Sequence, residues 1–332
     1  MNLLKYICLP GLLASGDIQT VSAVESKTDK NPNILVILID DAGYNDFGFM
    51  GSKEMQTPNI DALTSEGVVF TDAHVAATVS SPSRACLITG RYGHRFGYEC
   101  NLSDRTNGLP LEEETIAEVF KTNGYRTAAI GKWHLGSRDE QHPNNRGFDL
   151  FYGMKAGGRD YFYNEKKSDR PGDERNLLLN DRQVKFEKYL TDAFSEKAVE
   201  FINESSQPFM MYLAYNAVHT PMQATDEDMA KFEGHPRQKL AAMTYALDRG
   251  VGTVIRGLKD SGKFDNTLIF FLSDNGGATT NQSSNYPLKG FKGNKFEGGH
   301  RVPYFVVWKN GIPAGKPYDG LVSSLDIFAT AI

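Results

Sequence analysis

Asn33-Ile34-Leu35-Val36-Ile37-Leu38-Ile39, ending in Asp40-Asp41-Ala42-Gly43, is an apolar run with no polar residue alternating through it. A run of this kind suits a strand covered on both faces in a parallel sheet, not one with a solvated side. Similar runs recur at residues 127–130, 209–215, 267–272 and 304–308. Helical patterns lie between them, at residues 58–66, 111–122, 191–203 and 238–261. Strands that alternate with helices predict an α/β fold, with a mostly parallel central sheet and helices on both faces. Ligands of such sheets gather beyond the carboxyl ends of the strands. Asp40, Lys132, His219 and Asp274 all follow strand-like runs, so they are expected at one edge.

The chain has 332 residues, 40% hydrophobic and 23% charged, with a net charge of −5. That length and composition allow a large core, and no basic stripe with interleaved aromatics points to nucleic acid. Residues 1–23 have the build of a secretory leader: Lys5, an apolar segment over residues 7–14, and Val21-Ser22-Ala23 as a cleavage site. Residues 24–32 form a polar linker, and no later stretch has the roughly 20 apolar residues of a membrane helix. Cys8 would leave with the leader; Cys86 and Cys100 can pair or stand as idle thiols, the second being the default, with Cys86 in a helix core. Residues 157–180, rich in Gly, Asp, Arg and Tyr, form a long surface excursion, in which Gly157-Gly158-Arg159-Asp160-Tyr161-Phe162 is read as an ordered structural loop before a ligand contact. Residues 322–332 form an amphipathic helix with no stop signal after it.

Asp40-Asp41 and Ser273-Asp274-Asn275-Gly276-Gly277 close two different strands, which brings three carboxylates and one amide to the same edge. Their mutual repulsion calls for a hard divalent ion with oxygen ligands, Ca²⁺ in preference to Mg²⁺. Ser80-Ser81-Pro82-Ser83-Arg84 leads into an apolar helical run, placing Ser80 and Arg84 near a helix N-terminus that favours an anion. Lys132 and His134, two apart at a strand end, share one side; a lysine can hold an anionic oxygen and a histidine can move a proton near neutral pH. His219-Thr220-Pro221 follows another strand, and Lys292 lies in a glycine-rich basic loop.

Ser80-Ser81-Pro82-Ser83-Arg84 with Leu87-Ile88-Thr89-Gly90-Arg91 resembles the maturation signature of the type I sulfatases, and Gly124-Tyr125-Arg126-Thr127-Ala128-Ala129-Ile130-Gly131-Lys132-Trp133-His134 resembles their second signature. Pro287-Leu288-Lys289-Gly290-Phe291-Lys292-Gly293 and Glu297-Gly298-Gly299-His300-Arg301-Val302-Pro303 follow in family order, with lysine at position 289 where the family usually has arginine. The resemblance runs from about residue 32 to residue 332 and implies the alkaline phosphatase superfamily fold, with residues 33–332 as a catalytic domain. Family members usually continue into a smaller C-terminal subdomain, for which these residues leave no room.

The resemblance further implies that Ser80 is oxidised to formylglycine, whose hydrate, bound to the metal of Asp40, Asp41, Asp274 and Asn275, attacks sulfur. In that scheme Lys132 and Lys292 hold sulfate oxygens, His219 protonates the departing oxygen, and His134 and Arg84 position and polarise the diol. The expected activity is hydrolysis of sulfate monoesters, aryl sulfates or, in nature, sulfated carbohydrates. Serine at the modified position implies a bacterial anaerobic-type maturase acting on the nascent chain, then export to the periplasm or cell surface. The alternatives are a phosphatase, phosphodiesterase or phosphonate hydrolase of the same superfamily, and a sulfated-glycan binding protein that never matures Ser80.

Overall fold

A strand that is apolar on both sides must be covered on both faces, and that demand organises the molecule. In the computed structural model, which describes residues 31–101 and 108–332, β1 (Asn33–Ile39) is buried along its whole length. The expected leader and the linker up to residue 30 lie outside the described residues. The other strands are β2 (Val68–Phe70), β3 (Ala73–His74), β4 (Arg126–Lys132), β5 (Leu150–Met154), β6 (Leu178–Leu179), β7 (Arg182–Gln183), β8 (Phe209–Ala214), β9 (Thr267–Ser273), β10 (Tyr304–Val307) and β11 (Val322–Ser323). Nine of them form one sheet in the order β2-β10-β9-β1-β8-β4-β5-β6-β7, and β3 pairs with β11.

The five central strands β9, β1, β8, β4 and β5 are parallel, as the apolar runs imply. Val36 of β1 faces Tyr212 of β8 on one side and Phe270 of β9 on the other. The margins are antiparallel. β10 departs from the expectation of parallel strands for a physical reason. The chain leaving β9 stays at the carboxyl edge, where it supplies Asn275, Asn281 and Lys292, so β10 can only run back along its neighbour.

The helices are α1 (Pro58–Thr64), α2 (Ser80–Thr89), α3 (Ile116–Thr122), α4 (Leu190–Glu204), α5 (Asp226–Lys231), α6 (Gln238–Asp260), α7 (Glu297–His300) and α8 (Asp326–Ala331). Alternate residues of each central strand enter separate cores. Leu35, Ile37 and Ile39 pack with Ile60 of α1, Phe194 and Phe201 of α4, and Leu247 and Val251 of α6. Ile34, Val36 and Leu38 pack on the opposite face with Leu87 and Ile88 of α2, Phe120 of α3 and Ile327 of α8. No described helix is long and apolar enough to cross a membrane.

Two local expectations change. The helix read over residues 111–122 starts at Ile116, because the Thr115 side chain accepts from the Glu118 N–H while Glu118 accepts from the Thr115 N–H. The helix read over residues 322–332 is only α8; Val322 and Ser323 are drawn into pairing with β3. Residues 157–180 are the expected surface excursion, exposed at residues 165–167 and 170–172, and buried contacts order it. Arg159 and Asp169 form a buried ion pair at 2.7 and 2.9 Å, and the buried Tyr161 stacks on Tyr189 at 5.3 Å between centroids. Cys86 and Cys100 are free thiols, the first buried in α2 and the second exposed.

One glycine shapes both the sheet and the site. Gly131, beside Lys132 in β4, has a φ of 107°, and a Cβ there would lie 1.9 Å from the carbonyl oxygen of Ala214 in β8. Gly131→Ala therefore forces β4 and β8 apart at the edge that carries the chemistry. It is expected to cost on the order of 3 kcal/mol, read as a fall in the urea unfolding midpoint. An unchanged midpoint would contradict this packing.

Candidate active site

The carboxyl ends of β1, β4, β8 and β9 meet the N-terminus of α2, and the structure brings every residue singled out for chemistry to that meeting point. Asp40 and Asp41 leave β1 directly. Asp41 has a φ of 63°, and main-chain bonds hold it there: its N–H donates to Asp274 Oδ1 at 3.2 Å, and its carbonyl accepts from Asn281 Nδ2 at 3.1 Å and Ser283 Oγ at 2.9 Å. Asp274 and Asn275 leave β9, the strand next to β1, and both are fully buried.

Ser80 opens α2 and is itself fully buried. Its Oγ lies 3.2 Å from Asp40 Oδ1, 3.2 Å from Asn275 Oδ1 and 3.4 Å from Lys132 Nζ. Four turns of sequence thus converge on one hydroxyl: the ends of β1, β4 and β9 and the start of α2. Asp40, Asp41, Asp274 and Asn275 offer oxygen ligands only, three of them charged, and this donor set fits a hard cation such as Ca²⁺. The ligating atoms of Asp40, Asp41 and His219 also lie within 4.8 Å of one another.

Each carboxylate has its own cation. Lys132 Nζ stands 2.7 Å from Asp40 Oδ2, and Lys292 Nζ stands 2.6 Å from Asp41 Oδ1. Arg84 donates Nε at 3.0 Å and Nη2 at 2.8 Å to Asp274 Oδ2, and Nη1 at 3.0 Å to the Lys132 carbonyl. Arg84 therefore ties α2 to β9 and β4. Three cations balance three carboxylates, so a divalent ion would make the cluster net positive, the sign that attracts an anionic ester.

Burial pushes the Asp40 carboxyl up, but Lys132, His219 and Arg84 outweigh it and leave it below the ordinary carboxylate value. Burial pushes the Lys132 ammonium down, and Asp40 only partly restores it. For Arg84 and Lys292 burial works in the same direction but the carboxylates win, Asp274 for Arg84 and Asp41 for Lys292, and both are held above their ordinary values. Burial, with Lys132, Arg84 and Lys292 adding to it, holds His134 well below an ordinary histidine and therefore neutral near pH 7. His219 has its Nδ1 2.6 Å from the Thr220 carbonyl and its Nε2 3.7 Å from Asp41 Oδ2. A carbonyl can only accept, so Nδ1 is a donor and Nε2 is the nitrogen that can exchange a proton in the pocket.

Four more residues shape the site: Asn281, which sequence reasoning passed over, and Tyr161, Gly157 and Gly158, which it read as part of an ordered loop without placing them against the histidines. Asn281, fully buried, bridges the carbonyls of Asp41 and Val218 at 3.1 and 2.9 Å. Tyr161 Oη donates to the carbonyls of Asn216 and His219, the latter at 2.8 Å, and so fixes the turn that carries His219. Gly157 and Gly158 lie against the two histidines: a Cβ on Gly157 would come within 2.6 Å of His134 Nε2, and one on Gly158 within 3.2 Å of His219 Cε1. The paired glycines are a visible signal of close approach; Asn281, in a polar loop, gives none.

The Sulfatase family model matches residues 32–332. The chain is 34% identical to an uncharacterized sulfatase, YdeN, of Escherichia coli (strain K12), over 93% of this chain and 63% of that protein. It is 36% identical to arylsulfatase G of Mus musculus, over 91% of this chain and 64% of that protein. The chain thus spans a little under two thirds of the length of these two relatives. Among solved structures, Ps i-CgsB in complex with k-i-k-neocarrahexaose superposes with a TM-score of 0.86 at 45% identity, covering 91% of this chain and 71% of that one. With that match over nearly its whole described length, and an oxygen-rich pocket at the carboxyl edge of its parallel strands, the chain belongs to the sulfatase family of the alkaline phosphatase superfamily.

Proposed function

We propose that this protein is a carbohydrate sulfatase. It hydrolyses a sulfate monoester on an oligosaccharide to the alcohol and inorganic sulfate, with Ser80 matured to formylglycine and Ca²⁺, in preference to Mg²⁺, held by Asp40, Asp41, Asp274, Asn275 and the oxygen of residue 80. The observation that carries this reading is the Ser80 hydroxyl, 3.2 Å from both Asp40 Oδ1 and Asn275 Oδ1 with a lysine ammonium beside it. The hydrated aldehyde supplies an oxygen nucleophile that a plain hydroxyl is not at neutral pH, and the cation supplies charge that favours its ionised form.

The remaining tasks fall to side chains. Lys132 and Lys292 are point charges that can bind sulfate oxygens while the carboxylates stay with the cation. His219 is the general acid for the departing oxygen, delivering a proton from Nε2 while Thr220 fixes its other nitrogen; such donation contributes roughly 10²–10⁴-fold. His134, neutral, is a hydrogen-bonding partner rather than an anion-binding charge. Arg84 keeps Asp274 in place.

The substrate class is supported by the 45% identical relative, whose structure contains a neocarrahexaose. A sulfated oligosaccharide of that kind is the first substrate to test. The leader-like residues 1–23 and serine at position 80 support maturation in a bacterial cytoplasm, followed by export to the periplasm or cell surface.

Co-expression with a serine-type maturase is expected to yield a residue-80 peptide lighter by the mass of two hydrogens, which hydrazide reagents trap. Ser80→Ala is expected to lose on the order of 10⁴-fold or more in sulfate ester turnover, with phosphate esters as the control substrate. An unconverted serine in a fully active protein would end the proposal. Chelation is expected to abolish turnover, and Ca²⁺ to restore it better than Mg²⁺; full activity in excess chelator would remove the cation from the scheme. Gly157→Ala, which crowds the His134 ring, is expected to lower kcat by about 10-fold or more with little change in thermal midpoint, since misplacement near 1 Å can cost about 10².

A further inference from the structure

A second cluster of metal-ligand type lies outside this pocket. β3 carries His74, and α7 carries Glu297 and His300, spaced by three residues. His74 Nε2 is 3.1 Å from Glu297 Oε2, and the two imidazole centroids are 5.2 Å apart, tilted by 41°. One ligating atom from each residue lies within 4.8 Å of the other two. Around a tetrahedral ion with bonds of about 2.0–2.1 Å, neighbouring ligand atoms sit about 3.3 Å apart, close to the first of these distances.

The main chain sets this arrangement in advance. Val75 N–H donates to the His300 carbonyl at 2.8 Å, and Val302 N–H donates to the Ala73 carbonyl at 2.9 Å. His74 also bridges Arg301 antiparallel. The histidines are thus held side by side by backbone pairing, so little ordering is left for a ligand to impose. The other ring nitrogen of His74, Nδ1, is buried and makes no hydrogen bond among the described residues. The Asp72 carboxylate stands 3.9 Å from it, on the side from which a carboxylate orients a metal-bound imidazole.

Arg301 is the competing cation, with Nη1 3.5 Å from Glu297 Oε2 and 3.4 Å from Asp72 Oδ1. Its place does not depend on Glu297, because Nε and Nη2 both donate to the Thr71 carbonyl, the former at 2.9 Å. Glu297, about half exposed, can turn an oxygen to an ion while Arg301 stays where it is.

We propose that His74, Glu297 and His300 form a second cation site, for a borderline divalent metal such as Zn²⁺, with solvent completing the coordination. Two imidazoles and one carboxylate select Zn²⁺, Co²⁺ or Ni²⁺ over Ca²⁺, which takes oxygen ligands. The site is therefore chemically distinct from the oxygen-only pocket and does not rest on the sulfatase reading. An ion there cross-links the segment that runs from β3 into Ser80 with the segment that follows Lys292, and so clamps two walls of the pocket.

The test uses the full chain saturated with Ca²⁺. Zn²⁺ is titrated by calorimetry, and Co²⁺ replaces it for visible absorption. One Zn²⁺ per chain is expected, raising the thermal midpoint, and Co²⁺ is expected to give ligand-field bands of nitrogen coordination. His300→Ala and Glu297→Gln should each weaken binding by at least about tenfold and remove the bands, while Asp41→Asn leaves both in place. Circular dichroism of the metal-free variants establishes that they fold. The proposal is overturned if no Zn²⁺ binds, if both His300→Ala and Glu297→Gln keep the affinity of the unaltered chain, or if Asp41→Asn abolishes binding, which would place the ion in the acidic pocket.

Discussion

Asp40, Asp41 and Asp274 are buried within hydrogen-bonding reach of one another's neighbours, and the fold tolerates them only because Lys132, Lys292 and Arg84 stand against them. Such pairs are poor sources of stability, because desolvating each charge costs about what the attraction returns. Removing one partner is a different matter: it strands a buried charge, at roughly 3–5 kcal/mol. The six charges therefore stand or fall together, and the apolar strands beneath them bear the cost. Leu35, Ile37 and Ile39 on one face and Ile34, Val36 and Leu38 on the other anchor β1 between two cores, so that its end cannot yield to repulsion between the aspartates.

The same balance makes the pocket rigid before any substrate arrives. Arg84 joins α2 to β9 and β4 through three bonds, and none of them can be replaced by water in a fully buried position. Fixed charges in a dry site act more strongly than in solvent and need no reorganisation when charge shifts. The walls extend this rigidity. The Arg159–Asp169 pair and the Tyr161 hydroxyl hold the loop that lays Gly157 and Gly158 against His134 and His219. A loop that supplies no reacting atom thus sets the positions of both histidines.

Much of this could be read in the chain because it depends on local pattern. Apolar runs without alternation located the five strands β1, β4, β8, β9 and β10, and the residues after the first four of these runs located the edge. The direction of β10 was not legible, since it follows from where the long segment after β9 spends its length. β5 escaped notice because Leu150-Phe151-Tyr152-Gly153-Met154 is short and carries a glycine. The start of α3 was legible in Thr115 and Glu118 and was missed in favour of the apolar residue at 111. Residues 157–180 read correctly as a surface excursion, but what orders it was not legible: Arg159 finds Asp169 ten positions on, and a pairing of that range has no sequence signature. Asn281 is equally silent, as its bonds go to backbone carbonyls from two other strand ends.

The surroundings of Ser80 also bear on what that residue becomes. A serine that acts as it stands is activated either by a neighbouring base or by a bound cation. The polar groups against its hydroxyl are Asp40, Asn275 and Lys132. Asp40 is held below the ordinary carboxylate value and is a poor proton acceptor, and Asn275 is a neutral amide. Lys132, although burial loosens its proton, is engaged with Asp40 at 2.7 Å and enters as a cation. Among these three groups none is a base suited to neutral pH, so activation of the oxygen falls to a cation that Asp40, Asp41, Asp274 and Asn275 would hold. A hydrated aldehyde is more acidic than a primary alcohol and asks less of that cation, which is the chemical reason to propose that Ser80 is oxidised.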